Sequence, residues 1–500
     1  MGDKSVMIHR HFRSLPICLA LSLATLASAT IEYRVKPLPD SRQVAVTIAF
    51  ATDKPETVVQ IPRWMPGYYV LNGSNKNIKD FAVVDNERKA RTVTVVDDST
   101  WRIESKGART LTLNYKAPFN FADGMGHYKG TPTYIYVQGR TQEPCRLQID
   151  APADWKVAVG LNELRTPGAL GQHYYSASTY DVLADNGVTL GDFVEREYTV
   201  AGKVHTIAAY GPSARKADMN ELQKQCQIVS QITTDFMGGA PYDKYVWHFN
   251  LAESRGGGGM EHLSSTEIDM TANIGKGTAG FLCHEFFHLW NVKRIRSRVL
   301  GPFDYTQLPK TGALWWLEGT TDYYAYVLLA RNGYLDEKEW LCNIAGNVAS
   351  QRSMAGRLKI SPYDSSYRVG EASNGIGNSN GFEVSYYNDG FIAGLCLDLE
   401  LIARTDGKKS LDDVELALWK LCRDNRPGFE EGEIRKQLVI AGGPWFGDYY
   451  DRIIMKPGEF PVEEALAQVG LELVGKEIKS IASPSEKQLT YRKLWMAKHR

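Results

Sequence analysis

Two histidines and a glutamate stand close together near the middle of this 500-residue chain, in the run Cys283-His284-Glu285-Phe286-Phe287-His288. If the run is helical, His284 and His288 project from one face, where two neutral imidazoles can bind a single Zn²⁺. Glu285 lies beside them, where its carboxylate can take a proton from zinc-activated water and pass it to a leaving amine. The spacing predicts a catalytic zinc site with Glu285 as general base, although ordinary histidines on a half-buried helix would leave the same pattern.

A second predicted helix, over residues 315–326, can supply the remaining ligand. Glu318 is the acid in it best placed to face the first helix, and two histidines plus one glutamate leave a coordination position open for water. Asp322 follows four residues later, where it can accept the second N–H of a ligand histidine, unless it simply faces solvent. We therefore predict one Zn²⁺ per chain, bound by His284, His288 and Glu318, in a zinc-dependent peptidase.

Longer stretches extend the pattern. They are His284-Glu285-Phe286-Phe287-His288-Leu289-Trp290-Asn291-Val292-Lys293-Arg294-Ile295-Arg296, Trp316-Leu317-Glu318-Gly319, Gly258-Gly259-Met260-Glu261-His262 and Tyr386-Tyr387-Asn388-Asp389-Gly390. Each resembles a segment of the glycyl aminopeptidase family of gluzincin metallopeptidases, distant relatives of aminopeptidase N. Trp64-Met65-Pro66-Gly67-Tyr68 resembles a segment of the family's N-terminal domain, so the resemblance covers nearly the whole chain. It implies a zinc aminopeptidase that prefers glycine or alanine as the first residue.

The resemblance also implies how substrate is held. In the relatives of aminopeptidase N, the glutamate that matches Glu261 grips the free α-amine of the peptide. An edge strand over residues 256–260 could hold a substrate strand antiparallel through backbone hydrogen bonds, since glycines allow close approach. We expect Gly259, Met260 and Glu261 to bind substrate; the alternatives are a flexible loop and a surface acid.

A tyrosine completes the expected catalytic set. In the Y-x-x-G segment that ends at Gly390, the resemblance implies that the Tyr387 hydroxyl stabilises the developing oxyanion. Tyr386 is a rival for this role, and a packed core tyrosine is the alternative for both. Asn388 and Asp389 stand where many relatives carry a lysine before the glycine.

Residues 1–29 have the composition of a signal peptide: basic residues between positions 4 and 13, an apolar run over 15–26, and Ala27-Ser28-Ala29 before the expected cleavage point. The apolar run is short for a membrane span, although a retained anchor is the alternative. We expect an exported protein, periplasmic or secreted, without stable membrane insertion. The full chain has 58 basic and 58 acidic residues, and removal of residues 1–29 would leave 55 and 57, a formal charge of −2, which gives no electrostatic case for nucleic acid.

Periodicity and the resemblance together predict an α+β multidomain protein. Short alternating runs, such as 43–48 and 110–115, predict an N-terminal all-β domain over 30–195. A gluzincin (thermolysin-like) catalytic domain follows over 196–450, mostly helical after the zinc motif, and a short helical C-terminal extension over 451–500 has no room for the PDZ domain common in the family. The predicted helices include 220–237, 391–404, 411–423, 432–441 and, as the last, 461–469. The Gly-, Ser- and Asn-rich stretch 370–381 is predicted to be a loop.

Three other functions compete with an aminopeptidase acting on peptides. The same catalytic residues would catalyse endopeptidase cleavage if Glu261 does not bind the α-amine of the substrate. A zinc-containing but inactive binding protein and an epoxide hydrolase with the same zinc geometry are the other two. The sequence leaves the oligomeric state and the cysteine pairing open.

Overall fold

The computed structural model describes residues 30–71, 75–165, 168–254, 257–370, 383–424 and 428–498, with the main chain alone at position 424. The predicted signal peptide, the first residue of the predicted edge strand and residues 371–381 of the predicted loop lie outside the described residues. No helix within these ranges combines the length and the apolar character needed to cross a membrane.

Short strands build the N-terminal part of the chain, as the alternating pattern predicts. In β2, for example, buried and half-buried residues alternate along Gln43–Ala51. The strands are β1 (Ile31–Leu38), β2 (Gln43–Ala51), β3 (Glu56–Gln60), β4 (Lys79–Asp85), β5 (Val93–Val95), β6 (Thr100–Glu104), β7 (Thr110–Pro118), β8 (Asn120–Ala122), β9 (Met125–Tyr128), β10 (Tyr136–Val137), β11 (Cys145–Asp150), β12 (Lys156–Val159), β13 (Asn162–Glu163), β14 (Gln172–Ala177) and β15 (Val188–Gly191), with the short helix α1 (Tyr180–Ala184) before β15.

These strands form three sheets over the described residues. The largest has the order β13-β14-β11-β1-β2-β7-β4, and the others have the orders β10-β3-β6-β5 and β12-β15-β9-β8. A separate hydrophobic core fills this part of the molecule. The prediction of an N-terminal β domain is confirmed.

A mixed sheet follows, with the order β16-β17-β18-β20-β19. Its strands are β16 (Val194–Val200), β17 (Lys203–Tyr210), β18 (Lys244–Ala252), β19 (Gly259–Glu261) and β20 (Ser265–Thr271). The predicted domain boundary at residue 195 therefore falls inside β16. β19 lies at the edge and pairs antiparallel with β20, so the strand that carries Glu261 has one side with no strand partner within the described ranges.

Helices dominate after the zinc motif, as predicted. α2 (Met219–Met237) precedes the motif, and α3 (Thr278–Phe287) carries its first histidine. The helices that follow are α4 (Thr321–Arg331), α5 (Glu337–Ser353), α6 (Pro362–Tyr367), α7 (Tyr386–Arg404), α8 (Leu411–Asp424), α9 (Glu433–Gly442), α10 (Trp445–Ile453), α11 (Val462–Gln468) and α12 (Glu486–Trp495). The second predicted metal helix begins as a π-turn, Trp315–Thr320, before it continues as α4. α3 and α4 pack against each other in the main hydrophobic core.

The C-terminal segment differs from its prediction. The boundary at residue 450 falls inside α10, and a hairpin of β21 (Leu471–Val474) and β22 (Glu477–Ser480) interrupts the helices. The prediction that 461–469 is the last helix is wrong, since α12 follows it. Trp495 in α12 is buried, and its indole N–H donates to the Tyr323 hydroxyl at 2.9 Å, so this segment packs into the catalytic core.

Candidate metal centre

The three predicted ligands lie together in the interior. His284 is in the last turn of α3 and His288 directly follows the helix end, with its backbone still helical. The Oε2 atom of Glu318 lies 3.2 Å from Nε2 of His288 and 3.8 Å from Nε2 of His284. All three ligand atoms fall within 4.8 Å of one another, and all three residues are buried. The i,i+4 spacing and the second helix therefore bring together the set that the sequence predicts.

Each histidine has a partner for its other ring nitrogen. Nδ1 of His284 lies 2.8 Å from Oδ1 of Asp322, although the N–H is not aligned for a hydrogen bond. Nδ1 of His288 donates to the main-chain carbonyl of Asn291 at 2.6 Å. Such contacts orient a ligand ring and leave its Nε2 available to a metal. The Asp322 contact has the predicted partner, whereas sequence reasoning missed Asn291.

The electrostatics of the pocket suit a cation. Burial disfavours the His288 imidazolium, but the carboxylates of Glu318, Glu261 and Glu285 outweigh burial and raise its pKa to about 10. The pKa of His284 is also raised, because Asp322 outweighs the effect of burial. Two imidazoles and a carboxylate are donors that zinc prefers, and acids surround them. The residues present therefore fit a zinc ion held by His284, His288 and Glu318.

Glu285 lies against the edge strand. A Cβ placed on Gly259 would come within 1.9 Å of Cδ and Oε1 of Glu285, so only a glycine at this position leaves room for the carboxylate. Burial raises the pKa of Glu285 to about 7, against the opposing effect of the two histidines. The carboxyl group can therefore change protonation state near neutral pH.

Met260 and Glu261 complete β19. The Met260 side chain is buried, and its carbonyl accepts a hydrogen bond from the Thr266 hydroxyl at 3.0 Å. Glu261 is 5% exposed and close enough to contribute to the raised pKa of Glu285. Thus the structure brings Glu261 into the same pocket as the metal ligands.

The N-terminal domain reaches this pocket. Gly67 has φ +89°, and a Cβ on it would lie 2.7 Å from Oε2 of Glu261. Tyr69 is buried, and the carboxylates of Glu318 and Glu261 add to burial in raising the pKa of its hydroxyl. A cavity of about 10 Å³ remains here, lined by residues that include Trp64, Pro66, Gly67, Tyr69, Glu261 and Val292. The tryptophan segment matched the family, but the sequence did not predict this contact.

A buried polar cluster lies behind Glu261. Oδ1 of Asp185, in the N-terminal domain, is 2.7 Å from Nζ of Lys293 and 3.1 Å from Nδ1 of His262. Burial disfavours the His262 imidazolium, but Asp185 and then Glu267 raise its pKa to about 9. His262 adjoins Glu261, so this cluster anchors the edge strand to the N-terminal domain.

The two tyrosines differ in burial. Tyr386 is 1% exposed, whereas Tyr387 is partly exposed and its ring centroid lies 6.2 Å from that of His284. The two rings stack 4.9 Å apart. Burial raises the pKa of the Tyr387 hydroxyl, and Glu318 raises it further. Tyr387 therefore stays protonated and borders the metal pocket, where Tyr386 packs behind it.

Comparisons with known proteins agree with this arrangement. A peptidase M61 N-terminal domain profile matches residues 32–192, and an M61 glycyl aminopeptidase profile matches residues 277–393. A solved aminopeptidase N family protein from Idiomarina loihiensis has a TM-score of 0.81 at 23% identity, covering 89% of this chain and 79% of that one. An M1 zinc metallopeptidase from Deinococcus radiodurans, in a variant bound to a Tyr-Ser-Ala substrate, has a TM-score of 0.55 at 13% identity, covering 87% and 95%. At these identities the structures establish a shared fold. A comparison with curated proteins returned no match.

Proposed function

From the premise that this chain belongs to the M61 glycyl aminopeptidase family and is a metallopeptidase, we propose that it is an exported zinc aminopeptidase that removes small first residues from peptides. The observation that carries the proposal is that one buried pocket holds both the ligand set and a second carboxylate. The ligand set is His284, His288 and Glu318, and the carboxylate is Glu261 on the edge strand β19.

One zinc ion per chain would be held by His284, His288 and Glu318. When bound there, zinc polarises the scissile carbonyl and acidifies water. Asp322 lies 2.8 Å from Nδ1 of His284, and the Asn291 carbonyl accepts a hydrogen bond from Nδ1 of His288, so each ring would have Nε2 available to the metal.

Glu285 moves the proton. In its ionised form, the carboxylate accepts a proton from the attacking water and then delivers it to the nitrogen of the leaving amine. In the metal-free site burial raises the pKa of this carboxyl group to about 7, so the group is a stronger base than an exposed glutamate. The Tyr387 hydroxyl, which stays protonated, donates a hydrogen bond to the developing oxyanion.

Glu261 binds the free amine of the peptide. A carboxylate at the end of an edge strand can pair with an N-terminal ammonium while the strand's free side hydrogen-bonds the peptide backbone. That contact fixes the first residue at the metal and limits cleavage to the first peptide bond. An endopeptidase would instead place an uncharged segment of peptide beside this buried carboxylate and leave it without a cationic partner, which is unfavourable.

The proposed preference for small first residues rests on the space beside Glu261. Gly67 already contacts the carboxylate, and Trp64 and Tyr69 form a wall from the N-terminal domain. A cavity of about 10 Å³ is roughly enough for one water molecule and too small for a branched side chain.

Export is proposed from residues 1–29 alone, and peptides are the proposed partners. The small basic stretch, the apolar run and Ala27-Ser28-Ala29 support export to the periplasm or the medium. The near-zero charge gives no support for nucleic acid as a partner.

The experiment is hydrolysis of glycyl-, alanyl- and leucyl-anilides by the full protein, with chelator, with zinc restored, and with N-acetyl-alanyl-anilide as the blocked control. We expect chelator-sensitive cleavage of the free amines in the order glycyl, alanyl, leucyl, and none of the blocked substrate. Cleavage of N-acetylated peptides would favour an endopeptidase. Bound zinc without turnover of any substrate would contradict the proposal.

A further inference from the structure

Asn291 lies three residues after the second histidine of the metal centre and is fully buried. Its main-chain carbonyl accepts the hydrogen bond from Nδ1 of His288 at 2.6 Å. A carbonyl oxygen can only accept, so Nδ1 of His288 carries a proton, and in the neutral form of the ring the lone pair is then on Nε2. The position of the Asn291 main chain therefore determines how the His288 ring is presented.

The side chain of Asn291 contacts the other ligand-bearing segment. Its Nδ2 donates to the carbonyl of Trp316 and to Oγ1 of Thr321, both at 3.1 Å. Oγ1 of Thr321 donates in turn to the carbonyl of Leu317 at 2.9 Å. Trp316 and Leu317 are the two residues that directly precede Glu318 in the π-turn. The side-chain amide of Asn291 thus binds the main-chain segment that directly precedes Glu318.

Among the described residues, the oxygen atom of this amide has no hydrogen-bond partner. Within the described ranges Oδ1 of Asn291 is buried without a hydrogen bond, and the amide orientation follows because the Trp316 carbonyl can only accept, so that Nδ2 must face it. Burying an unpaired oxygen destabilises a fold, and an apolar side chain of similar volume would avoid this cost. An asparagine at this position is therefore better explained by what it positions than by what it adds to stability.

We propose that Asn291 is a positioning residue that sets the relation between His288 and Glu318, and hence the zinc affinity of the site. This inference rests on the proposed zinc site. The main chain of Asn291 orients the ring of His288, and its side chain binds the turn that carries Glu318. Nε2 of His288 and Oε2 of Glu318 lie 3.2 Å apart.

The test compares zinc affinity of the full-length wild-type protein and Asn291→Ala by competition with a chromogenic chelator. Loss of a contact of this kind weakens metal binding by roughly 10–100-fold, and we expect that range here. The absorption spectrum of the Co²⁺-substituted protein should also change, since the carboxylate would be held differently. Thr321→Val should also weaken zinc binding. Thr321→Ser keeps the hydroxyl group and should bind zinc with wild-type affinity.

Asn186→Ala is the matched control. Asn186 is also a buried asparagine whose Nδ2 donates to a main-chain carbonyl, that of Val182. Its Oδ1 has no partner in the part of the chain that the structure describes, but it lies in the N-terminal domain. We expect it to lower thermal stability and to leave zinc affinity and the Co²⁺ spectrum unchanged.

Wild-type zinc affinity and an unchanged Co²⁺ spectrum in Asn291→Ala would overturn the inference, even if the variant were less stable, and would leave the proposed function intact. If Asn291→Ala does not fold, Thr321→Val decides in the same way. A wild-type chain that binds no zinc would instead overturn the proposed function, and this inference with it.

Discussion

Gly319 and Gly390 meet backbone to backbone: a Cβ on Gly319 would lie 2.5 Å from Cα of Gly390. Gly319 directly follows Glu318 in the π-turn, and Gly390 lies three residues after Tyr387 in α7. Because neither residue has a side chain, the two segments approach closely enough to border the same pocket. The two glycines of the sequence motifs thus connect a proposed metal ligand to a proposed oxyanion donor.

Gly390→Ala should destabilise the protein. The new Cβ would lie 1.8 Å from the carbonyl oxygen of Trp315, and the two segments would have to separate. Overpacking of this kind costs about 1–3 kcal/mol, to be measured by denaturant unfolding, and bound zinc should fall with it. Gly346→Ala in α5 is the control, since the described part of the chain has no atom within 4 Å of the added Cβ, and it should stabilise the protein by about 0.5–1 kcal/mol. Equal effects of the two substitutions would refute this account of the contact.

Gly259→Ala should impair turnover more than zinc binding. Its Cβ would overlap the Glu285 carboxylate and push the proposed base out of place. We expect kcat for a glycyl-anilide to fall by about 10²-fold or more, because general base catalysis contributes on this order, with zinc content unchanged. Gly257→Ala is the control, because no atom of the described residues lies within 4 Å of the added Cβ. Loss of zinc in Gly259→Ala would contradict the prediction.

Glu285→Gln should separate proton transfer from metal binding. The amide has the shape of the carboxyl group but cannot accept a proton, so kcat should fall by about 10²–10⁴-fold while zinc stays bound. His288→Ala should lose both zinc and turnover. Zinc content by atomic absorption and initial rates on glycyl-anilide measure the two effects. Near wild-type rates in Glu285→Gln would rule out the proposed role.

Local spacing explains why so much of the metal centre could be predicted. His284 and His288 share a helix face because of their i,i+4 relation, and Asp322 is related to Glu318 in the same way. Helix bounds follow from similar patterns: a helix predicted over 220–237 is observed as Met219–Met237.

Contacts between distant segments could not be predicted this way. Tyr69 reaches the pocket from another domain, and the amide of Asn291 spans two elements. The π-turn at Trp315–Thr320 has the same apolar composition as an α-helix, so no local pattern distinguishes them. The β21–β22 hairpin has short strands that are mostly exposed, which leaves little apolar alternation to detect.

Tyr69→Ala should broaden the specificity of the enzyme. Removing the ring opens the small cavity beside Glu261, so leucyl-anilide should gain relative to glycyl-anilide. Steric discrimination in such pockets is worth about 10–200-fold, and we expect the ratio of the two kcat/KM values to shift by about tenfold or more. Tyr68→Ala is the control, since its side chain is exposed. An unchanged ratio of the two kcat/KM values would show that Tyr69 does not limit the size of the first residue.

Zinc affinity should increase with pH. In the metal-free protein, burial works against the charged His288 ring, but Glu318, Glu261 and Glu285 raise its pKa to about 10. The ring is therefore protonated at pH 7, and because zinc binds the neutral form, binding must release a proton. The apparent Kd should fall by about tenfold per pH unit for each proton released between pH 6 and 8. Calorimetric titrations in buffers of different ionisation enthalpy count the protons directly. An affinity independent of pH would mean that both ligand histidines are already neutral, so that the surrounding carboxylates do not govern the charge of the metal-free site.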